Sequence, residues 1–155
     1  MKKIVLLSLF LALITSCGFK VVETKYLENI SISEINTVGD SKTNYKIKSN
    51  LNNILNANGP HQIKIDIETQ KEKIIKEKNI NNIVKKYQIE IKSKVSFEFI
   101  KIKKKYVYNF KKTAEYGVMD RNIQNLNTEK KIINSLSKEI SNQIINKLEL
   151  ILNDL

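Results

Sequence analysis

The stretch that decides the fold is Lys86-Tyr87-Gln88-Ile89-Glu90-Ile91-Lys92-Ser93-Lys94-Val95-Ser96-Phe97-Glu98-Phe99-Ile100. Tyr87, Ile89, Ile91, Ser93, Val95, Phe97 and Phe99 occupy the odd positions, and charged or polar residues fill the even ones. A strict period of two puts the odd side chains on one face of a strand and leaves the other face wet. Because β-branched and aromatic residues dominate the odd set, the segment reads as a sheet's central strand. At ~3.3 Å per residue it would run roughly 50 Å, longer than usual, so a bend or bulge is expected.

After it, Lys101 to Lys105 reads as a basic turn, and Tyr106, Tyr108 and Phe110 resume the alternation, which predicts a hairpin. Before it, Ile63, Ile65 and Ile67 alternate with Lys64, Asp66 and Glu68 and predict another strand, with the polar stretch from Gln70 to Asn82 as its fraying end and a loop. Still earlier, Ile30, Ile32 and Ile35 mark a first strand. Val38-Gly39-Asp40-Ser41 reads as a turn and helix cap, followed by a helix from Ser41 to Ala57 on the spacing of Tyr45, Ile47, Leu51, Ile54 and Leu55. Asn58-Gly59-Pro60 stops that helix.

Toward the C-terminus, Ile133, Leu136, Ile140, Ile144, Leu148, Ile151 and Leu152 form a stripe along a long helix starting near Asn127. That stripe needs an apolar partner, and the one-sided sheet is the surface large enough to supply it. The expected fold is therefore α+β: a two-layer sandwich, a four-stranded mixed or antiparallel sheet covered by two helices in the order β-α-β-β-β-α, with one domain over residues 29–155. The chain has 155 residues, which suits one domain.

The first residues set the compartment. Lys2 and Lys3 precede an apolar run from Ile4 to Ile14 broken only by Ser8, the layout of a secretory leader and short for a membrane span. Leu13-Ile14-Thr15-Ser16-Cys17 follows and resembles the lipobox of bacterial lipoproteins, small residues ahead of a cysteine. The resemblance implies a signal peptide over 1–16, cleavage before Cys17, and N-acyl and S-diacylglyceryl lipid on that thiol as the only non-protein group. Residues 17–28 then form a lipidated tether. Three acyl chains exceed the two signals that stable anchoring requires. By similarity to sorted lipoproteins, Gly18 after the lipidated cysteine implies the inner leaflet of the outer membrane, with the domain facing the periplasm. The other reading of Cys17 is an incidental buried thiol behind an uncleaved anchor.

Composition excludes several chemistries. One cysteine gives no internal disulfide, and His61, the single histidine, cannot assemble a metal site alone. Four glycines include no phosphate-binding loop. Glu115, Tyr116, Asp120 and Arg121 lie close in sequence, yet no nucleophile, oriented base and oxyanion site come together, so they read as loop and cap residues of a protein that is not an enzyme. The net charge of +11 comes from lysines with a single arginine, in a chain crowded with Lys, Ile and Asn. Such a surface attracts polyanions, and an exported protein meets membrane lipid or phosphorylated glycolipid, not nucleic acid.

Cys17-Gly18-Phe19, the strand opening Lys86-Tyr87-Gln88-Ile89-Glu90-Ile91, and Tyr106 to Val118 leading to a helix that ends in Ile145-Asn146-Lys147-Leu148 together resemble the LptE family of lipopolysaccharide-assembly lipoproteins. The resemblance spans nearly the whole chain after the leader and rests on element order, lipobox and length. It implies a non-enzymatic protein that plugs and helps assemble the outer-membrane β-barrel LptD and engages lipopolysaccharide during export. The chain departs from other members in lacking a long C-terminal tail and in an Asn-rich loop before Tyr87. The alternative is a periplasm-facing lipoprotein that binds a lipid or scaffolds envelope proteins without a barrel; an envelope hydrolase is a third class without a catalytic constellation to support it.

Lys101, Lys103, Lys104 and Lys105, with Lys111 and Lys112 across the hairpin, are the candidate lipopolysaccharide-binding residues, since ammonium groups gather on lipid phosphates. The competing reading is a solvated hairpin tip whose lysines protect a sheet edge. Tyr106, Tyr108 and Phe110 could line an acyl groove or, as is commoner for aromatics at this spacing, pack under a helix. In a Gram-negative host, labelled palmitate should incorporate into the wild-type chain and fail to incorporate after Cys17→Ser; equal labelling of both would remove the lipidation reading.

Overall fold

The computed structural model describes residues 30–55 and 59–154. The leader, the lipobox with Cys17, the tether, and the expected helix end at Ala57 and stop at Asn58 lie outside the described residues. The elements are β1 (Ile30–Gly39), α1 (Ser41–Ile54), β2 (His61–Lys78), β3 (Val84–Phe99), β4 (Lys104–Gly117) and α2 (Asn122–Asn153). They form the expected two-layer α+β sandwich with strand order β1-β2-β3-β4. The sheet is mixed: β1 runs parallel to β2, and the β2–β3 and β3–β4 pairs are antiparallel. Parallel neighbours need a crossover, which α1 supplies.

The odd face of β3 is the centre of the core, with Ile89, Ile91, Val95, Phe97 and Phe99 all buried. Ile63, Ile65 and Ile67 of β2 flank it on one side, and the α2 stripe of Ile133, Leu136, Ile140, Ile144, Leu148 and Ile151 covers it together with Ile47, Leu51 and Leu55 at the α1 end. Each such side chain contributes about 1.5–3 kcal/mol by leaving water. Where the two helices meet, Ser137 and Ser141 are buried, and each hydroxyl donates to the carbonyl four residues back. Tyr106, Tyr108 and Phe110 are half-buried against the core rather than lining an acyl groove, with Phe97–Tyr108 and Phe99–Tyr106 ring centroids 6.1 and 6.0 Å apart.

Four details differ from the sequence expectation. First, Gln70–Lys78 is strand, not a fraying end: β2 pairs with β3 as far as Lys78↔Val84. Its core-facing positions there carry Lys71 and Lys73, whose charges are met by Asp40 and Glu129, so no apolar period marks it. The loop shrinks to residues 79–83, closed by Asn79, whose side chain accepts from the Asn81 and Ile83 amides at 3.0 and 2.9 Å. Second, β3 is regular against β4 over its length, and the irregularities fall at the far end of the β2–β3 ladder, where Glu77 pairs with Lys86 and Lys78 with Val84, and in β1 between Ile32 and Glu34. Third, Lys104 and Lys105 belong to β4, paired with Phe99 and Glu98, so the turn is residues 100–103 with Lys103 at φ 52°. Fourth, α2 starts at Asn122, five residues before the expected start near Asn127, because Asn125 bonds both backbone groups of Met119 at 2.8 Å and pins the connection from β4.

Gly39 marks the end of β1. At φ +99° it makes a turn that β-carbon-bearing residues rarely enter, and it lets the Asp40 amide reach the Thr69 carbonyl at 3.1 Å. Asp40 then caps α1, accepting from the Thr43 amide at 2.9 Å. A β-carbon on residue 39 would sit inside the Thr69 carbonyl. Gly39→Ala should therefore lower the urea unfolding midpoint at constant slope, by more than about 1 kcal/mol of stability; an unchanged midpoint would contradict this packing.

Candidate functional site

The six candidate lysines do not form one cluster. Lys101 and Lys103 sit in the β3–β4 turn, exposed, with Ile100 and Ile102 beside them. Strand alternation then separates the rest: Lys104 and Lys112 share the helix-side face with Tyr106, Tyr108 and Phe110, and Lys105 and Lys111 point to the opposite face. Lys112 pairs with Glu139 of α2 at 3.4 Å, and Lys111 pairs with Glu90 at 2.8 Å. Eight residues of strand, roughly 27 Å, separate Lys103 from Lys111. The turn brings Lys101, Lys103, Lys104 and Lys105 close in space, and Lys111 and Lys112 belong to another part of the sheet.

The opposite face of the sheet is the broadest polar surface. Both helices pack on one side only, so Lys64, Asp66 and Glu68 of β2, the even residues of β3, and Lys105, Val107, Asn109 and Lys111 of β4 face away from them. Charges there interlock across strands. Lys64 bridges to Glu34 at 3.2 Å, Asn36 donates to Asp66 at 3.1 Å, and Glu90 is held between Lys92 at 3.0 Å and Lys111 at 2.8 Å. Only 5 % of Glu90 is exposed, because the lysine stems lie over it, and hydrogen bonds from Lys111 and Lys92 hold its carboxyl below the ordinary glutamate range. Two open grooves run along this face, one lined by Val38, Lys94, Lys105 and Val107 and the other by Gln70, Lys92, Asn109 and Lys111.

Far from the Lys101–Lys103 turn, the helix side carries a second polar constellation. Lys73 reaches the Glu129 carboxylate at 2.8 Å and lies 4.3 Å from the Tyr87 ring centroid, and the Tyr116 hydroxyl donates to Glu129 at 3.2 Å. A lysine, a tyrosine and a carboxylate thus meet within hydrogen-bond reach of Glu129. Burial pulls Lys73 down, yet its bonds to Glu129 and Tyr116 outweigh that and keep it firmly protonated. Burial pushes the Tyr116 phenol up, which leaves it neutral. The trio ties β2, β4 and α2 together through the Glu129 carboxylate.

Glu115 is apart from this trio, bridging to Lys76 and Lys86 at 4.0 and 3.8 Å on the other face, and Arg121 immediately precedes α2 without a side-chain cap bond. His61 is exposed at the start of β2. Among the described residues, no three His, Cys, Asp or Glu side chains gather as a metal site, and no helix is long and apolar enough to cross a membrane.

Tyr45 and Leu126 are the site residues that periodicity could not place. Tyr45 shares the helical spacing of Ile47 and Leu51 but is 76 % exposed, and Leu126 precedes the α2 stripe and is 55 % exposed. Both line an open groove of about 620 Å³ between the start of α1 and the second to fourth turns of α2. Further apolar groups lie at the same end: Ile75, Ile80 and Ile83 of the β2–β3 hairpin, and Val118, Met119 and Ile123 at the β4–α2 junction, are exposed. The Val118 amide donates to the Lys85 carbonyl at 2.9 Å, which ties these two segments together.

No family model matches the chain, and no curated protein matches it. Its fold is that of several solved structures. A candidate lipoprotein of Caulobacter crescentus aligns with a TM-score of 0.61 at 10% identity, over 84% of this chain and 95% of that one. Rare lipoprotein B of Shewanella oneidensis aligns at 0.62 and 7% identity, over 78% and 97%. Lipoprotein B of Nitrosomonas europaea aligns at 0.59 and 11% identity, over 82% and 88%. At these identities the likeness is one of fold, and it covers the neighbours almost completely.

Lys73 gives the site a pH signature through its partner. The hydrogen bond from Lys73 is the largest influence on Glu129 and holds its carboxyl below its ordinary value of 4.5. The unfolded chain then binds the extra proton, so this stabilisation is complete above pH 4.5 and is lost as pH falls through the lower folded value. Glu129→Gln should cost about 1 kcal/mol or less at pH 7, since Lys73 is partly screened by solvent. It should also flatten the acid limb of the stability curve below pH 4.5; urea melts at pH 7, 4.5 and 3.5 would show an unchanged limb if the pair contributes nothing.

Proposed function

We propose that this chain is an outer-membrane lipoprotein of lipopolysaccharide export, anchored through lipid on Cys17, facing the periplasm, and acting as a plug and assembly partner for an LptD-like β-barrel. The observation that carries this reading is the pairing of a filled core with a broad, uncovered polar sheet face. Ile65, Ile91, Phe97, Ile140 and Ile144 leave no room between the layers, each with 0% exposure. A protein that binds lipid inside itself needs a cavity there, whereas a docking protein needs complementary outer faces. The ladder of Glu34, Lys64, Glu90, Lys92 and Lys111 supplies such a face, and the isoleucine-rich hairpin end supplies apolar anchors.

Support for the lipoprotein part comes from the leader and lipobox at Lys2 to Cys17, and from the fold shared with proteins named as lipoproteins. Contact with lipopolysaccharide is assigned to the turn lysines Lys101, Lys103, Lys104 and Lys105, with Lys111 and Lys112 as a separate strand pair already engaged by Glu90 and Glu139. The second reading, a lipoprotein that binds lipid without a barrel, is favoured by the open groove between α1 and α2.

Tagged full-length chain, extracted from outer membranes in non-ionic detergent, should co-purify with one large heat-modifiable β-barrel protein. Recovery from intact outer membranes with no barrel attached would overturn the plug. Replacing Lys101, Lys103, Lys104 and Lys105 with glutamine should weaken lipopolysaccharide capture several-fold and more so at low salt, as expected for exposed charges; unchanged capture would remove these residues from the site.

A further inference from the structure

The two helices each present the same pair of chemistries to the groove between them. On α1, Lys42, Tyr45 and Lys46 stand three and four residues apart and so share a face. On α2, Leu126 and Lys130 do the same, and Glu129 lines the wall between the helices. Tyr45 and Leu126 expose apolar surface that the fold leaves uncovered, as do Ile54, Ile123 and Leu150 elsewhere on the two helices, but Tyr45 and Leu126 alone among these line the groove. Contiguous exposed apolar surface rimmed by polar residues marks an interaction site or ligand groove.

The charge around these two residues is unbalanced. The Asp40 carboxylate is taken by Lys71 at 3.0 Å and by the Thr43 hydroxyl, and Glu129 is taken by Lys73 and Tyr116. Lys42, Lys46 and Lys130 have no carboxylate within ion-pair distance among the described residues. Three lysines without a paired carboxylate thus line one groove with two exposed apolar side chains, and the nearby acids are already neutralised.

We infer that the groove between α1 and α2 binds a phosphate-bearing acyl lipid, its phosphate between Lys42, Lys46 and Lys130 and one acyl chain along Tyr45 and Leu126. Ammonium groups form charge-assisted hydrogen bonds to phosphate, and several converging on one headgroup exceed what a single exposed ion pair gives. An acidic peptide would satisfy the lysines as well, but its backbone amides and carbonyls would also need partners. The groove walls are helices whose interior backbone groups bond internally, and Asp40 already accepts from the Thr43 amide at the open end of α1. A lipid brings no such demand. The assignment deepens the proposed function, resting on it only for the source of the ligand: lipid headgroups reach a domain tethered to a membrane, and free phosphate reaches any protein.

The chain contains no tryptophan, so Tyr45→Trp places a single indole reporter in the groove. In the full-length chain, held in dodecyl maltoside micelles at low salt, phosphatidic acid brominated on its acyl chains should quench this indole at least about two-fold more than brominated phosphatidylcholine at the same mole fraction. Lys42→Gln, Lys46→Gln and Lys130→Gln together should reduce the difference to nothing with unchanged far-UV circular dichroism, and the corresponding arginine triple should restore it. Equal quenching by both headgroups, or a glutamine triple that behaves as the parent, would overturn the site. Inorganic phosphate that abolishes the excess at the same concentration as the lipid would overturn the acyl-chain part, and poly-glutamate that does so would replace lipid with an acidic protein. A chain that keeps its barrel partner while the indole is unquenched would overturn the groove alone; quenching without any barrel partner would overturn the plug alone.

Discussion

Everything in this molecule follows from the burial of one face of one strand. The odd side chains of β3 must leave water, and a sheet with a single apolar face can be covered only by elements that lie on that side. The α2 stripe meets that need along the whole strand: Tyr116 bonds Glu129 near its start, Lys112 pairs with Glu139 in the middle, and Lys147 lies over Tyr108 toward its end. Because α1 fills the remaining space over β1 and β2, the second face of the sheet has no helix among the described residues to cover it. That face is free to meet another molecule, and its residues are those suited to water or to a polar partner.

The core is not uniform along this axis. Near β1 it is aliphatic, packed by Ile30, Ile47, Leu51, Leu55 and Ile63. Beyond Gly39, where β1 and α1 no longer flank β2, the same face carries Lys71 and Lys73. Their stems cover apolar surface while Asp40 and Glu129 satisfy their charges, a way of extending a sheet past the end of its hydrophobic core. Lysines on the freed edge of β2 also discourage pairing with another chain's strand. The hairpin end thereby stays both ordered and accessible, with its isoleucines outside. The α1–α2 groove opens in the same region, where α1 begins and the packing of the two helices gives way to solvent.

Ion pairs on the exposed sheet face add little to stability, since screened surface pairs contribute about 1 kcal/mol at most. Their value lies in fixing a charge pattern. Glu90, held under Lys92 and Lys111, gives that face a defined arrangement of donors and acceptors in place of mobile side chains. Complementary charge steers association and selects partners more than it strengthens them.

The amino-acid sequence by itself determined the element order, the identity of β3 as the central strand, the apolar stripe of α2 and the two-layer architecture, because those depend on local periodicities of two and 3.6 residues. It also carries the apolar run after Lys2 and Lys3 and the Leu13–Cys17 stretch that resembles a lipobox, a linear pattern that needs no fold to be read. Tertiary structure alone decided the second half of β2, since Lys71 and Lys73 on its helix-side face find their counter-charges only when Asp40 and Glu129, distant in sequence, arrive beside them. It likewise decided that the hairpin lysines divide between two faces, and that Tyr45 and Leu126, unremarkable in their own helices, stand together across a groove. Periodicity reports which way a side chain points from its own element; which other element it meets there is set by packing in three dimensions.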